Sequence, residues 1–151
     1  MSAGLAFGGY FGLFLSAVLA ATLLPLSSEA VLVALSQARG FDVVLLFAVA
    51  TFGNTVGATV NWALGRYCLR WRHRRWFPVS ADQLNRAGSQ FQRYGLWSLL
   101  FAWMPVIGDP LTFAAGILRV HLLPFLVLVG IGKGARYAAV ILLADSVLTS
   151  S

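Results

Sequence analysis

"PLSSEAVLVAL", residues 25–35, sets a proline, two serines and a glutamate inside an apolar run that begins near Leu5. A charged side chain near the middle of a bilayer costs from about 3 to more than 10 kcal/mol, so an acid held there is expected to be paired and functional. Proline also interrupts a helix, because it lacks the N–H and crowds the preceding turn. The stretch therefore reads as the tip of a helical hairpin that enters the membrane, breaks and returns.

The surrounding composition fixes the solvent. Of the 151 residues, 59% are hydrophobic and 11% charged, against about 45–50% apolar and 25% charged in soluble domains. The chain reads as an all-α integral membrane protein. A spanning helix needs about 20 mostly apolar residues, and Leu5–Leu26, Val43–Leu64 and Leu122–Leu143 meet or approach that length. Two shorter apolar pieces, Ala30–Leu35 and Leu96–Leu118, are flanked or broken by Pro, Gly and acids. Residues 1–10 carry no Lys or Arg, unlike the n-region of a cleaved signal peptide. The N-terminus is therefore expected to be retained.

Charge and rare residues exclude several functions. The net charge is +6, and Arg66, Arg70, Arg72, Arg74, Arg75, Arg86 and Arg93 fall in one polar segment. In so apolar a chain this is the positive-inside mark of a cytoplasmic loop rather than a nucleic-acid footprint. The run "RWRHRRW", Arg70–Trp76, is also suited to gathering anionic lipid, although topology is its preferred reading. Trp71, Trp76, Trp97, Trp103, Tyr67 and Tyr94 are expected at the two interfaces, where amphipathic rings gather. Cys68 is the single cysteine, so an intramolecular disulfide and a multi-Cys metal site are excluded. His73 and His121 are far apart, and no metal or cofactor is expected.

The basic segment, residues 67–94, divides two similar halves, residues 5–66 and 95–147, of a single domain. Pro25 is followed four residues later by Glu29, and Pro105 four residues later by Asp109. Each acid leads into a short apolar piece that ends eleven residues on, at Gly40 and Val120. A long apolar helix follows in each half, interrupted at "GNTVG" (53–57) and "GKGAR" (132–136), which lie 24 and 23 residues beyond the acids. Broken hydrophobic segments at corresponding places in two halves are the mark of a transporter repeat. With one crossing span before the basic loop, the halves are expected to be inverted repeats, each a broken re-entrant hairpin plus one transmembrane helix. Irregular backbone at that depth must be buried in protein or line a watery cavity, and two facing tips shield one another.

Four ionisable residues stand in these membrane segments: Glu29, Asp109, Lys133 and Arg136. Lys133 and Arg136, at i and i+3, share a helix face, and the four are expected to form a neutral cluster. One reading makes them structural ion pairs that pin the hairpins, although desolvation offsets much of the gain from such pairs. The sharper reading lets Glu29 or Asp109 take up a proton, as burial and neighbouring carboxylates favour. Lys133 and Arg136 are then left uncompensated for a phosphate anion. Asn54 and Asn61, with Gly57 and Gly65, form a small polar stripe suited equally to close helix packing and to substrate contact. Ser27 and Ser28 are placed to cap the returning helix, whose start offers backbone N–H groups to an anion. Arg119 is expected to meet lipid phosphate or solvent.

Together "FLSAVLAATLLPLSSEAVLVAL" (14–35), "FGNTVGATVNWALGRY" (52–67), "RYGLWSLLFAWMPVIGDPLTFAAGILRV" (93–120) and "GKGARY" (132–137) resemble the YqaA branch of the DedA (SNARE-associated, VTT-domain) membrane proteins. The resemblance implies a multi-pass protein of the bacterial inner membrane with two facing re-entrant hairpins, related to movers of undecaprenyl phosphate or phospholipid. Glu29 falls on the family's membrane-embedded acid. The family also carries arginines three residues either side of the proline in the second hairpin. Those places are Ala102 and Gly108 here, so positive charge is expected from Lys133 and Arg136 instead.

The expected function is transport of a lipid-linked or phospholipid anion, coupled to protons. Pro25, Ser28, Asn54, Asn61, Pro105, Gly108 and Arg119 are expected to support the site. The alternative is a non-transporting scaffold or assembly factor for the envelope. A lipid phosphatase is disfavoured, since no nucleophile–base pair or second histidine falls near the midplane. With two full spans and two hairpins, the chain has little protein to enclose a cavity, so a homodimer is expected.

Overall fold

The computed structural model describes residues 3–20, 27–67, 79–104 and 106–149. These fold into α1 (Ala3–Ala20), α2 (Ser27–Gln37), α3 (Val43–Tyr67), α4 (Ala81–Tyr94), a 3-10 helix (Gly95–Trp103), α5 (Gly108–Ile117) and α6 (Leu122–Thr149). Pro25, Pro105, Cys68, His73 and the Arg70–Trp76 run lie outside the described residues.

Among the described residues, two helices are long and apolar enough to cross a membrane. At about 1.5 Å per residue, the 25 residues of α3 and the 28 of α6 reach about 38 and 42 Å, beyond a hydrocarbon core of roughly 30 Å. α1 is apolar but shorter, and the stretch expected from Leu5 to Leu26 is helical only to Ala20 among the described residues. Large apolar side chains stand exposed along these helices, including Phe7, Phe11, Phe52, Val127 and Leu142. Water disfavours such a surface, whereas lipid does not.

Among the described residues the chain gives two pairs of successive helices, with residues 21–26 and 105 outside the description. α1 ends before "PLSSE" and α2 begins at Ser27; the 3-10 helix ends at Trp103 and α5 begins at Gly108. The short helices α2 and α5 have 11 and 10 residues, and each carries an acid, Glu29 or Asp109, in its first turn. The 3-10 segment runs for nine residues, where such helices seldom exceed four. Its rise of about 2 Å per residue carries the chain farther than an α-helix of equal length. Past Trp103, Val106 adopts φ 71°, a strained backbone for a β-branched residue.

The same close contact recurs in both halves. A Cβ added at Gly53 in α3 would stand 2.9 Å from the Phe14 carbonyl of α1, and one at Gly132 in α6 would stand 2.6 Å from the Leu100 carbonyl of the 3-10 helix. These glycines open the two polar insertions, so the small residues let the outgoing limb press on each long helix. α3 and α5 touch as closely: an added Cβ at Gly116 would overlap the Trp62 carbonyl, and one at Gly65 the Phe113 carbonyl. Trp62 Nε1 then donates to the Val120 carbonyl at 3.1 Å and ties the end of α5 to α3.

The basic segment is not a loop throughout, which corrects the expectation for residues 67–94. Its second half is α4, capped by a reciprocal pair in which Ser80 Oγ accepts from the Gln83 N–H and the Ser80 N–H donates to Gln83 Oε1. That S-x-x-Q arrangement is a helix-start signal. Ala87 and Phe91 bury against Leu99 and Ala102 of the 3-10 helix and Trp62 of α3, and Gly95 at φ 60° ends α4. The apolar positions Leu84, Ala87 and Phe91 share one face but are diluted by Asp, Asn, Gln and Arg, so the segment reads as polar.

Candidate functional site

Three elements bring the charged residues together: the first turn of α2, the middle of α3 and the middle of α6. Arg136 forms an ion pair with Glu29, and each side chain keeps 18% exposure. The Arg136 guanidinium also donates to the Trp103 carbonyl at 2.7 Å, the last residue of the 3-10 helix. One arginine of α6 therefore ties the start of α2 to the end of the 3-10 helix.

Lys133, one turn earlier, is buried at 5% exposure and donates to the Asn54 side-chain oxygen. Asn54 Nδ2 in turn donates to the Tyr137 hydroxyl at 2.8 Å, and Tyr137 shares a 2.9 Å hydrogen bond with Ser28 Oγ. The chain Lys133–Asn54–Tyr137–Ser28 thus links α6, α3 and α2 through buried polar atoms. Such a network is stabilising when each member is satisfied and costly when one is lost.

Asp109 belongs to the other side of the group. It accepts a long bond of 3.5 Å from Asn61 Nδ2 and lies within electrostatic reach of Lys133 and Arg136. The neutral cluster expected from the sequence is therefore assembled unevenly. Glu29 and Arg136 touch directly, whereas Lys133 is bonded to an amide rather than to Asp109.

Several sequence expectations resolve differently. Ser28 does not cap α2: it lies inside the helix and its hydroxyl turns to Tyr137, while nothing is described of the Ser27 side chain. Asn54 and Asn61 are both buried and serve as hydrogen-bonding groups, one toward Lys133 and one toward Asp109. Arg119 is exposed at φ 56°, just past α5 and outside the cluster. Of the belt candidates within the described residues, Tyr67, Tyr94, Trp97 and Trp103 are all exposed and lie at or near helix ends.

Gly108 and Ala102 are both buried. A Cβ at Gly108 would overlap the Ala102 carbonyl, so the 3-10 helix and the start of α5 meet backbone on backbone. Positive charge reaches this region from α6.

Sequence reading missed Tyr137 and the Trp103 carbonyl. The signal for Tyr137 was its i+4 spacing from Lys133, which stacks the two on one face of α6. A backbone acceptor such as Trp103 leaves no trace in residue type.

A chain that is helical throughout its described residues, with two membrane-length helices and a charged, hydrogen-bonded network between them, has the character of an integral membrane protein. The VTT-domain family model matches residues 24–146, and the chain belongs to that family, the DedA proteins. It is 39% identical to the inner membrane protein YqaA of Escherichia coli over 130 residues, covering 86% of this chain and 87% of that one. It is 33% identical to an uncharacterised protein of Haemophilus influenzae over 146 residues, covering 90% and 87%. A more distant relative, undecaprenyl phosphate transporter A of Staphylococcus aureus, is 26% identical over 153 residues, covering 94% and 75%. No solved structure matches the chain significantly. The family and the two long apolar helices make this a protein of the bacterial inner membrane.

Proposed function

We propose that the protein is a flippase- or scramblase-like transporter of lipid-linked or phospholipid anions, such as a polyprenyl phosphate, driven by protons and acting as a homodimer. Its halves are inverted repeats, residues 5–66 and 95–147, whose re-entrant tips meet at the charged cluster, with the basic segment cytoplasmic. Lys133 and Arg136 receive the phosphate, and Glu29 and Asp109 carry the protons that remove the negative charge balancing those cations. Ser28, Asn54 and Asn61 orient the group, Pro25, Pro105 and Gly108 shape the tips, and Arg119 meets lipid phosphate or solvent.

The observation that carries this reading is Lys133: a buried ammonium whose hydrogen bond goes to a neutral amide, with Asp109 within electrostatic reach. Buried cations are usually paired, and an ammonium bonded to an amide keeps donors for an incoming anion. The similarity to undecaprenyl phosphate transporter A of Staphylococcus aureus supports a lipid-linked anion as cargo.

A second reading draws on Arg136, which clamps Glu29 and the Trp103 carbonyl at once. Such a brace suits a scaffold whose hairpins stay shut. Proteoliposomes loaded with a fluorescent polyprenyl phosphate or anionic phospholipid, with and without a pH gradient, separate the two. Gradient-dependent flux that vanishes in folded Glu29→Gln and Lys133→Met proteins supports transport. Absence of flux for both lipids in the native protein, with Glu29→Gln only less stable, selects the scaffold.

A further inference from the structure

The seam between α4 and the second hairpin holds two adjoining hollows. One, of about 320 Å³, is lined by Arg86 and Gln90 of α4 and by Val106, Ile107 and Pro110 of the tip. The other, of about 270 Å³, is lined by Gln90, Tyr94, Phe101, Met104 and Ile107. They share Gln90 and Ile107, so they form one trough with a cationic, amide-lined end and an aromatic, apolar end.

The polar end has spare capacity. Gln83 is used by the cap at Ser80, but Arg86 and Gln90 have no hydrogen-bond or ion-pair partner among the described residues. Asp82 lies one turn before Arg86 without pairing to it, and Arg93 adds a second positive charge two turns beyond. At the apolar end, exposed Tyr94, Trp97 and Phe101 mark the depth where rings meet headgroups.

We propose that this trough is a resident binding site for one membrane lipid with an anionic phosphate headgroup. Arg86 and Gln90 take the phosphate, and the hydrocarbon chain lies along Ile107, Met104 and Phe101. A free inorganic anion would leave the apolar half without a partner, and a neutral lipid would leave Arg86 without one. Pro110 in the trough wall directly follows Asp109 in the chain, so the headgroup is held beside the tip that carries that acid. None of the trough's lining residues belongs to the Glu29–Lys133 group, so the site stands whether or not the lipid is moved.

The test uses the full chain in nanodiscs of phosphatidylcholine containing nitroxide-labelled phosphatidic acid or nitroxide-labelled phosphatidylcholine. The motionally restricted fraction of the label gives relative association by electron spin resonance. The native protein is expected to favour the anionic lipid, and Arg86→Gln to lower that preference about five-fold, the worth of one arginine facing anionic lipid at the interface. Arg39→Gln, an exposed arginine between α2 and α3, should leave it unchanged. Ile107→Trp, which fills the trough where the hollows join, should lower anionic retention even with Arg86 present. Equal losses for Arg86→Gln and Arg39→Gln would reduce the effect to diffuse charge and overturn the site. Displacement of the labelled lipid by inorganic phosphate would assign the trough to a free anion and overturn it as well.

Discussion

Glu29, in the first turn of α2, is held by Arg136 in the middle of α6, so the start of α2 is anchored on a helix far from it in the chain. The relationship is reciprocal, because Asp109 at the start of α5 accepts from Asn61 on α3. Each short returning helix thus depends on a span far away in the chain.

Breaking the first of these anchors should be costly. Glu29→Gln leaves Arg136 with a neutral partner, and stability is expected to fall by about 2 kcal/mol, less than the roughly 3–5 of a fully enclosed pair because both side chains keep some exposure. Thermal unfolding in lipid–detergent micelles reads this, and an unchanged Tm would show that the pair contributes nothing net.

The Tyr137 hydroxyl joins Asn54 and Ser28. Tyr137→Phe leaves both without that partner in a buried site and is expected to cost about 1–3 kcal/mol. Because the three act together, Tyr137→Phe and Ser28→Ala should combine less than additively. Strict additivity in a double-mutant cycle would contradict a shared network.

Two glycines give opposite outcomes. At Gly116 an added methyl overlaps the Trp62 carbonyl and meets the Arg66 backbone nitrogen, so Gly116→Ala must part α3 from α5 and should cost more than about 2 kcal/mol. At Gly88 in α4 nothing stands within 4 Å of the added atom, so Gly88→Ala should stabilise by about 0.5–1 kcal/mol through helix propensity. Unfolding midpoints of the two variants, measured side by side, check both signs.

Ser80→Ala removes the cap of α4 and should cost about 1 kcal/mol. The loss is local, so amide exchange should speed up over residues 81–84 while α3 and α6 stay protected. Uniform loosening of all helices would mean instead that α4 clamps the whole hairpin through Phe91.

Much of the arrangement was legible because membrane segments are written in composition. The low charge and three long apolar runs marked a membrane protein, and two of those runs, from Val43 and from Leu122, are helices of membrane-crossing length. Glycines 53 and 132 stood out as interruptions, and each meets a neighbouring backbone. α4 was hidden because its apolar face is only Leu84, Ala87 and Phe91 among polar residues, and the strong arginine count drew the whole segment toward a loop reading.

By itself the sequence determined that the chain belongs in a membrane and which residues are too polar to face lipid. These follow from local quantities: hydropathy, spacing, and the conformational limits of proline and glycine. Only the tertiary structure decided who pairs with whom. Lys133 and Arg136 share a helix face and carry the same charge, yet one is enclosed against Asn54 while the other reaches Glu29 and the Trp103 carbonyl. That division depends on where α2, α3 and the 3-10 helix meet α6, and contacts between distant segments leave no mark in the spacing of either one.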